Sequence, residues 1–113
     1  MSTSHGTLEN EIMNAVWTIE EGHSSEKGIS VSDVTDYINK NGSTRAYTTV
    51  KTVMDRLVDK ALLVRTKFGK KFCYTSTSSR RESANAAIQR LAGQYFNNDV
   101  RMLMKALEKE CLV

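Results

Sequence analysis

Apolar residues recur at spacings of three and four along the first half of the chain, which is the pattern of amphipathic helices. The first run predicts a helix at residues 8–21, with Thr7 as its N-cap and Gly22 as its C-cap. Ser30 and Asp33 have the spacing of a capping box and predict the start of a second, shorter helix. We therefore expect two helices before the strongest helical pattern of the chain begins.

This strongest helical pattern covers residues 46–61 and is followed by two stretches that favour β-strands. Its apolar arc comprises Val50, Val53, Met54, Leu57, Val58 and Ala61. The β-rich stretches, 63–67 and 71–75, flank a short loop that contains Gly69, which predicts a hairpin. Three helices and a hairpin in this order are typical of a winged helix-turn-helix. We expect an α+β, mainly α fold with the recognition helix at 46–61 and the wing at 63–75.

The last third of the chain predicts two further helices, each with a thin apolar stripe. Ser79 and Glu82 have a second capping-box spacing, and Asn97 with Asn98 predicts the break between the helices. The winged-helix core can close without these stripes, so we expect them to pair with a second copy of the chain. Packing onto their own domain is the alternative. The predicted dimerisation residues are Ala84, Ala87, Ile88, Leu91, Tyr95, Val100, Leu103, Met104, Leu107 and Cys111.

Charge is distributed unevenly along a chain whose formal net charge is only +3. Residues 1–44 hold seven acidic and two basic residues, whereas residues 45–81 hold ten basic and two acidic residues. Residues 82–113 are balanced. A basic segment concentrated in one helix and one hairpin is typical of a protein that binds a polyanion. A solvated basic face without a partner is the alternative.

The outward face of the third helix carries the candidate base-reading residues. At about 100° per residue, Thr48 and Thr52 lie opposite the apolar arc. A threonine can offer its hydroxyl to a base edge and its methyl group to thymine, although one threonine could instead cap the helix while the others are solvated. Asp55 and Asp59 would be repelled by phosphate, so only the first half of the helix can lie deep in a groove. The predicted DNA-binding residues here are Arg45, Ala46, Tyr47, Thr48, Thr49, Lys51, Thr52 and Arg56.

Three lysines at the predicted hairpin tip, Lys67, Lys70 and Lys71, can neutralise phosphates along the DNA backbone or enter a neighbouring minor groove. They could instead protect the hairpin edge from pairing with other strands. Helix and wing together predict a DNA-binding domain at 1–77, followed by a helical dimerisation region at 78–113. A function of a different class also fits, in which the basic wing docks an acidic protein partner.

Other classes of function find little support in the composition. A content of 40% hydrophobic and 26% charged residues is typical of a soluble globular protein, and no apolar run could span a bilayer. We therefore expect a cytoplasmic protein, and one that is not an enzyme, since no nucleophile–base pair or glycine-rich phosphate loop is present. We expect no metal or cofactor, because His5, His23, Cys73 and Cys111 lack the spacing of metal ligands. A disulfide between the Cys111 residues of two copies is a narrower hypothesis.

Two separated stretches resemble the BlaI/MecI/CopY family, which comprises the penicillinase and methicillin-resistance repressors and the copper-operon repressors. Residues 8–17, LENEIMNAVW, resemble the first helix of that family. Residues 46–57, AYTTVKTVMDRL, are similar to its recognition helix, and Gly69 with residues 72–74, FCY, to its wing. The matches lie in the family's order and cover most of the chain.

The resemblance implies a bacterial repressor that binds a pseudo-palindromic operator, often with TACA-type half-sites, as a homodimer through its C-terminal helices. In the copper branch a Cys-x-Cys pair lies near the C-terminus, whereas Cys111 is single, so copper sensing is disfavoured. The β-lactam branch is inactivated by a membrane-bound sensor protease, which the resemblance implies as a partner acting near residues 95–98. Carried over by position, the groove-facing residues are Thr48, Thr49, Lys51 and Thr52, with Tyr47 at the helix entry and Lys70 and Lys71 in the wing.

Overall fold

The computed structural model describes residues 7–22 and 28–111, with side chains up to Lys109. These residues form five helices and one two-stranded sheet, so the fold is mainly α with a small β element, as predicted. The chain divides into two compact units at the Ser78–Ser79 bond, one residue from the boundary expected after residue 77. The functions assigned to the two units stay predictions.

The first unit contains three helices followed by a hairpin. Its elements are α1 (Thr7–Gly22), α2 (Val31–Lys40), α3 (Tyr47–Asp59), β1 (Leu63–Phe68) and β2 (Lys71–Ser76). This order is that of the expected winged helix-turn-helix, with α3 in the position of the recognition helix and β1–β2 in that of the wing. Ile29 also pairs with Tyr74 through two backbone hydrogen bonds of 2.8 Å, which adds a minimal third strand to the hairpin.

Capping explains where α2 begins and corrects the expected ends of α1. Thr7 and Gly22 are the first and last residues of α1 itself, because helical geometry extends one residue beyond the apolar pattern at each end. The capping box predicted for α2 is present. Ser30 Oγ accepts a hydrogen bond from the Asp33 amide at 3.0 Å, and the Asp33 carboxylate accepts one from the Ser30 amide at 3.1 Å. These bonds satisfy two amides at the helix start.

The helix α3 ends two residues earlier than predicted, at Asp59 rather than at Ala61. Ala61 has a φ of 64°. The Ala61 and Leu62 amides donate to the carbonyls of Val58 and Leu57, both at 2.9 Å. This is a Schellman arrangement, in which one left-handed residue turns the chain out of the helix. Glycine is the usual residue at such a position. The apolar pattern wrongly placed Ala61 on the buried arc, because the chain leaves the helix before this residue and the turn keeps it exposed.

The inward faces of the three helices and the base of the hairpin form one core. Its largest fully buried side chains are Ile12, Val16, Val34, Val50, Met54, Leu57, Leu63 and Tyr74. Because α3 supplies three of them, its apolar side is fixed in the core and its polar side must face outward. Gly28 permits the pairing of Ile29 with Tyr74, since its φ is 87° and a Cβ atom there would lie 3.0 Å from the Tyr74 carbonyl oxygen.

The second unit consists of two helices, α4 (Arg80–Tyr95) and α5 (Val100–Cys111). The predicted capping box opens α4, because Ser79 Oγ accepts from the Glu82 amide at 3.0 Å and the Glu82 carboxylate accepts from the Ser79 amide at 2.9 Å. The predicted break is also present, since Asn97 and Asn98 have φ values of 54° and 62°. Asparagine tolerates this left-handed conformation better than most residues, so two of them in sequence can reverse the chain.

Candidate nucleic-acid interface

The polar face of α3 is exposed along the first half of the helix. Thr48, Thr49 and Thr52 are all exposed, and together with Val53 and Arg56 they line a shallow surface depression. The first turn of α3 contains no acidic residue. This part of the helix is therefore electrostatically compatible with the phosphates that flank a DNA groove.

The alternative that one of these threonines caps α3 is wrong. The N-cap residue is Ala46, which makes no side-chain capping hydrogen bond. Thr52 Oγ1 instead donates to the Thr48 carbonyl oxygen at 2.9 Å, a common arrangement for a threonine within a helix. The Thr52 oxygen can still accept a hydrogen bond, and its methyl group remains available for apolar contact.

Arg45, a predicted DNA-binding residue, forms an ion pair and hydrogen bonds with other residues of the chain. Its Nε atom lies 3.3 Å from Glu11 Oε1 of α1, and Glu11 also accepts a hydrogen bond from the Ser43 hydroxyl. The Asn39 side chain accepts from the Arg45 amide at 2.8 Å and donates to the Arg45 carbonyl at 3.3 Å. These contacts fix the turn between α2 and α3, and Glu11 competes with phosphate for the Arg45 guanidinium.

A group of four side chains, called here the Asp55 cluster, joins α3 to the hairpin; its members are Asp55, Lys51, Arg65 and Tyr74. Asp55 Oδ2 lies 2.7 Å from Lys51 Nζ. Asp55 Oδ1 lies 2.8 Å from Arg65 Nη1 and accepts a hydrogen bond from the Tyr74 hydroxyl at 2.7 Å. The sequence predicts Lys51 as a DNA-binding residue and Asp55 as an outward-facing one. The hairpin instead partly covers Asp55, and the i,i+4 spacing brings Lys51 to the same carboxylate.

Burial and hydrogen bonding set the ionisation of this cluster. Partial burial alone raises the pKa of Asp55, but its three hydrogen-bonded partners outweigh this effect and hold the pKa below its ordinary value of 3.8. Burial, and then the adjoining Asp55 carboxylate, raises the pKa of Tyr74 to about 12. The hydrogen bond to Asp55 raises the pKa of Arg65. At neutral pH the Asp55 carboxylate is therefore ionised, the Arg65 guanidinium is charged and the Tyr74 hydroxyl is neutral.

The hairpin register divides the three predicted wing lysines between different positions. Paired residues of an antiparallel hairpin share a face, and successive pairs alternate between faces. Lys67 pairs with Phe72, and its Nζ lies 5.7 Å from the centre of that ring. Lys71 belongs to the next pair and lies on the opposite face, while Lys70 lies in the turn beside Gly69. All three lysines are exposed, and in the described part of the chain none forms an ion pair.

Arg65 and Phe72 belong to this surface, and the buried Tyr74 reaches it through its hydroxyl group, although none of the three is a predicted DNA-binding residue. The Arg65 guanidinium lies 4.9 Å from the Phe72 ring centre, within the range of a cation–π contact. The strand register pairs Arg65 with Tyr74, and it follows from a two-residue turn at Gly69 and Lys70, one residue shorter than the loop expected between residues 67 and 71. The contacts with α3 could not be inferred from that register.

Most of the predicted dimerisation residues are exposed side chains of the second unit. The exposed ones are Ala84, Ala87, Ile88, Leu91, Tyr95, Met104 and Leu107. Leu103 differs, since only 5% of it is exposed, so the single chain already covers this side chain. Val100 is half-buried. The side chain of Cys111, and with it the disulfide hypothesis, lies outside the described residues.

The described residues contain no group of three or more His, Cys, Asp or Glu side chains that could hold a metal ion. His5 and His23 lie outside these residues. In the same part of the chain, no helix has both the length and the apolar character needed to cross a membrane.

Comparison with known proteins identifies the family to which this chain belongs. A sequence model described as penicillinase repressor matches residues 5–112, which is nearly the whole chain. The chain belongs to the penicillinase repressor family. The expected resemblance is thereby confirmed, and so is the expectation that the protein is a transcriptional repressor of the winged-helix type and not an enzyme. No curated protein matches the chain.

In this member of the penicillinase repressor family, the basic side chains from Arg45 to Lys71 fall into two groups. Arg45, Lys51, Lys60 and Arg65 are held by carboxylates of Glu11, Asp55 and Glu9. The predicted DNA-binding cations that form no ion pair among the described residues are Arg56, Lys67, Lys70 and Lys71. Ala46 and Tyr47 are exposed at the entry to α3.

Proposed function

We propose that this repressor binds a pseudo-palindromic DNA operator as a homodimer, with α3 in the major groove and the hairpin on the phosphate backbone. The observation that carries the proposal is the exposed face of α3, where three threonines and Arg56 line a depression that contains no carboxylate. Threonine hydroxyl and methyl groups suit the edges that adenine and thymine present in the major groove. The proposed base readers are Thr48, Thr49 and Thr52.

Cations that the protein leaves unpaired supply affinity in this proposal. Arg56 lies beside the threonines, and Lys70 and Lys71 lie at the hairpin tip. Each lysine or arginine that neutralises a phosphate releases condensed counterions from the DNA. The N-terminus of α3 carries the partial positive charge of the helix dipole, which attracts phosphate. Ala46 places no carboxylate or hydroxyl over the first amides, so they remain available to a phosphate. These contacts position the helix without selecting a base sequence.

Dimerisation is part of the proposal because a single recognition helix contacts too few base pairs to select one operator in a genome. Support comes from the second unit, whose exposed large apolar side chains include Ile88, Leu91, Tyr95, Met104 and Leu107. A two-fold dimer would present two copies of α3 to half-sites that are related by the same symmetry.

Titration against DNA tests the proposal directly. Gel shifts are measured with fragments of the source genome, including the region upstream of the protein's own gene, at several salt concentrations. We expect a few fragments to bind selectively, and the logarithm of the binding constant to fall by about 0.9 per phosphate contact for each unit of log salt. Binding with no sequence preference and no salt dependence would contradict the proposal. Retention of an acidic protein by the lysine-rich hairpin would then become the leading function.

We also propose that the repressor acts in the cytoplasm and that a sensor protease inactivates it at the α4–α5 connection. Tyr95, Asn97 and Asn98 are exposed there, so a protease could reach the backbone. Cleavage would separate the two helices that are proposed to form the dimer. Mass spectrometry of the chain recovered from derepressed cells should then show a cut near residues 95–98. An intact chain in fully derepressed cells would exclude this route.

A further inference from the structure

The Asp55 cluster places one carboxylate between two cations at the junction of α3 and the hairpin. Lys51 comes from α3 and Arg65 from β1, and both lie within 2.8 Å of Asp55 oxygens. The Asp55 carboxylate also accepts a hydrogen bond from the Tyr74 hydroxyl, and the Arg65 guanidinium lies over the Phe72 ring. Asp55 is thus held in a network rather than in a single surface ion pair.

The cluster lies at one edge of the face proposed to meet DNA. At about 100° per residue along α3, Lys51 and Asp55 project beside Thr48 and Thr52, on the side away from Arg56. Side-chain exposure of 42% for Lys51 and 38% for Arg65 leaves both cations within reach of a polyanion on that side. Without the carboxylate they would be two additional phosphate ligands. With it, a phosphate must compete for each of them.

This competition acts on the part of DNA binding that does not depend on base sequence. Binding to arbitrary sequence depends almost entirely on cations that neutralise phosphates. Binding to an operator also uses base contacts, which the Asp55 cluster does not supply. A carboxylate that retains two cations therefore lowers the affinity for arbitrary sequence and for the operator by a similar factor, and it leaves the base contacts unchanged.

We propose that Asp55 limits the affinity of this surface for DNA of any sequence, by keeping Lys51 and Arg65 from phosphates. The inference rests on the proposed function, because it concerns the same surface and the same ligand. The inference assigns to Asp55 a role that weakens DNA binding, whereas the negative charge of Asp55 would be repelled by phosphate in a direct contact.

The variant Asp55→Asn tests this role, with Asp59→Asn as its matched control. Both substitutions remove one negative charge from the same helix, but Asp59 is exposed and belongs to none of the ion pairs formed by the described residues. Fluorescence anisotropy with a short random-sequence duplex, measured over a range of salt concentrations, gives the salt slope of each variant. We expect Asp55→Asn to steepen the slope by about one to two relative to Asp59→Asn, because each new phosphate contact adds about 0.9.

A second variant tests whether Arg65 is one of the retained cations. In the wild-type background, Arg65→Gln should change the random-duplex slope by much less than one unit. Combined with Asp55→Asn, the same substitution should remove about 0.9 of the slope that Asp55→Asn added. This double-mutant cycle separates retention of a cation from a general effect on folding, which would not depend on the background.

The outcomes separate the inference from the proposed function. If Asp55→Asn and Asp59→Asn give the same slope, or if Arg65→Gln alone lowers the wild-type slope by a full contact, the inference is wrong while DNA binding stands. If the wild-type protein shows no salt-dependent binding to any duplex, both fail. Should Asp55→Asn not fold, as judged by circular dichroism, Asp55→Ser replaces it in both measurements, since it also removes the carboxylate.

Discussion

Thr52 shows that one side chain can be used by the protein and remain available to DNA. Its hydroxyl proton is directed to the Thr48 carbonyl, so the side chain can offer DNA an acceptor oxygen and a methyl group, but not a donor, without breaking that bond. In the major groove, such a group suits the amino group of adenine or cytosine and the methyl group of thymine. The proposed readers are therefore limited in chemistry as well as in number.

The double substitution Thr48→Ala with Thr52→Ala should relax sequence preference more than it weakens binding. The loss of base contacts should reduce discrimination between operator and altered operators by about 1 kcal/mol per affected base pair, the lower end of what a good contact provides. Competition gel shifts with single-base operator variants measure this. The matched control is Thr66→Ala with Thr75→Ala, two exposed threonines of the hairpin. Equal losses for both pairs would remove the threonines of α3 from the proposed reading surface.

The ionised form of Asp55 should make a pH-dependent contribution to folding. Its pKa in the folded protein lies below 3.8, so this contribution is present at higher pH and is lost as the pH falls through the folded-state pKa. Urea unfolding of wild type and Asp55→Asn should differ by about 1 kcal/mol at neutral pH, since the carboxylate is partly exposed. The difference should shrink at pH values below about 3.8. A constant difference across the whole range would show that the cluster does not stabilise the ionised carboxylate.

Among the helices, α3 differs from α2 and α4 in how it begins. Both α2 and α4 open with a serine capping box, whereas α3 opens with Ala46 and no side-chain cap. A cap contributes roughly 1 kcal/mol to helix stability, so alanine is a costly residue at this position. An uncapped helix start leaves its amides for a phosphate, which gives a functional reason for the missing cap.

Substitutions at Ala46 should therefore separate stability from DNA binding. Both Ala46→Ser and Ala46→Asp should stabilise the protein by about 1 kcal/mol, because each supplies a capping oxygen. Ala46→Asp should also weaken binding to every DNA sequence, since its carboxylate would occupy the place of a phosphate at the helix start. Thermal unfolding and gel shifts on the same samples measure the two effects. Tighter DNA binding by Ala46→Asp would contradict a phosphate at this position.

The hairpin should contribute affinity with little sequence information. Lys70→Ala with Lys71→Ala is expected to weaken binding to operator and random DNA alike, and to reduce the salt slope by about 0.9 for each lost phosphate contact. Lys105→Ala with Lys109→Ala makes the same change in net charge on two exposed lysines of α5, and serves as control. Should the control pair flatten the slope equally, the effect would be one of net charge and not of hairpin contacts.

The limits of sequence interpretation are clearest at the junction between elements. The apolar period of α3 and the capping boxes at Ser30 and Ser79 are local signals, and the structure contains the elements that they predict. The partners of Asp55 could not be predicted in the same way, because Arg65 and Tyr74 approach it only when the hairpin packs on α3. Lys51 and Asp55, which the sequence presents as separate surface residues, thus belong to one hydrogen-bonded network with Arg65 and Tyr74.

At the scale of the whole molecule, the two units cover their apolar side chains to different degrees. The first unit closes a core around Met54 and Tyr74, while in the second unit, among the residues described, only Ala92 and Leu103 are buried. Large exposed side chains are normal when scattered, but a series along two short helices is typical of an interface. The helical spacing of apolar residues in the sequence predicted the exposed apolar side chains of α4 and α5. It could not predict that Leu103 would be covered within one chain.

The substitution Leu107→Glu should separate the dimer without unfolding the chain. Leu107 is 49% exposed, so a charge there costs the single chain little, whereas an unpaired carboxylate buried at an interface costs about 3 kcal/mol or more. Sedimentation velocity should show a monomer, operator affinity should fall by at least a hundredfold, and thermal unfolding should retain the transition of the first unit. Gln89→Glu adds the same charge at another exposed position of the second unit and should leave the dimer intact. If Leu107→Glu remains a dimer with normal operator affinity, the apolar residues of α5 do not form the interface, and the homodimer must be sought elsewhere on the chain.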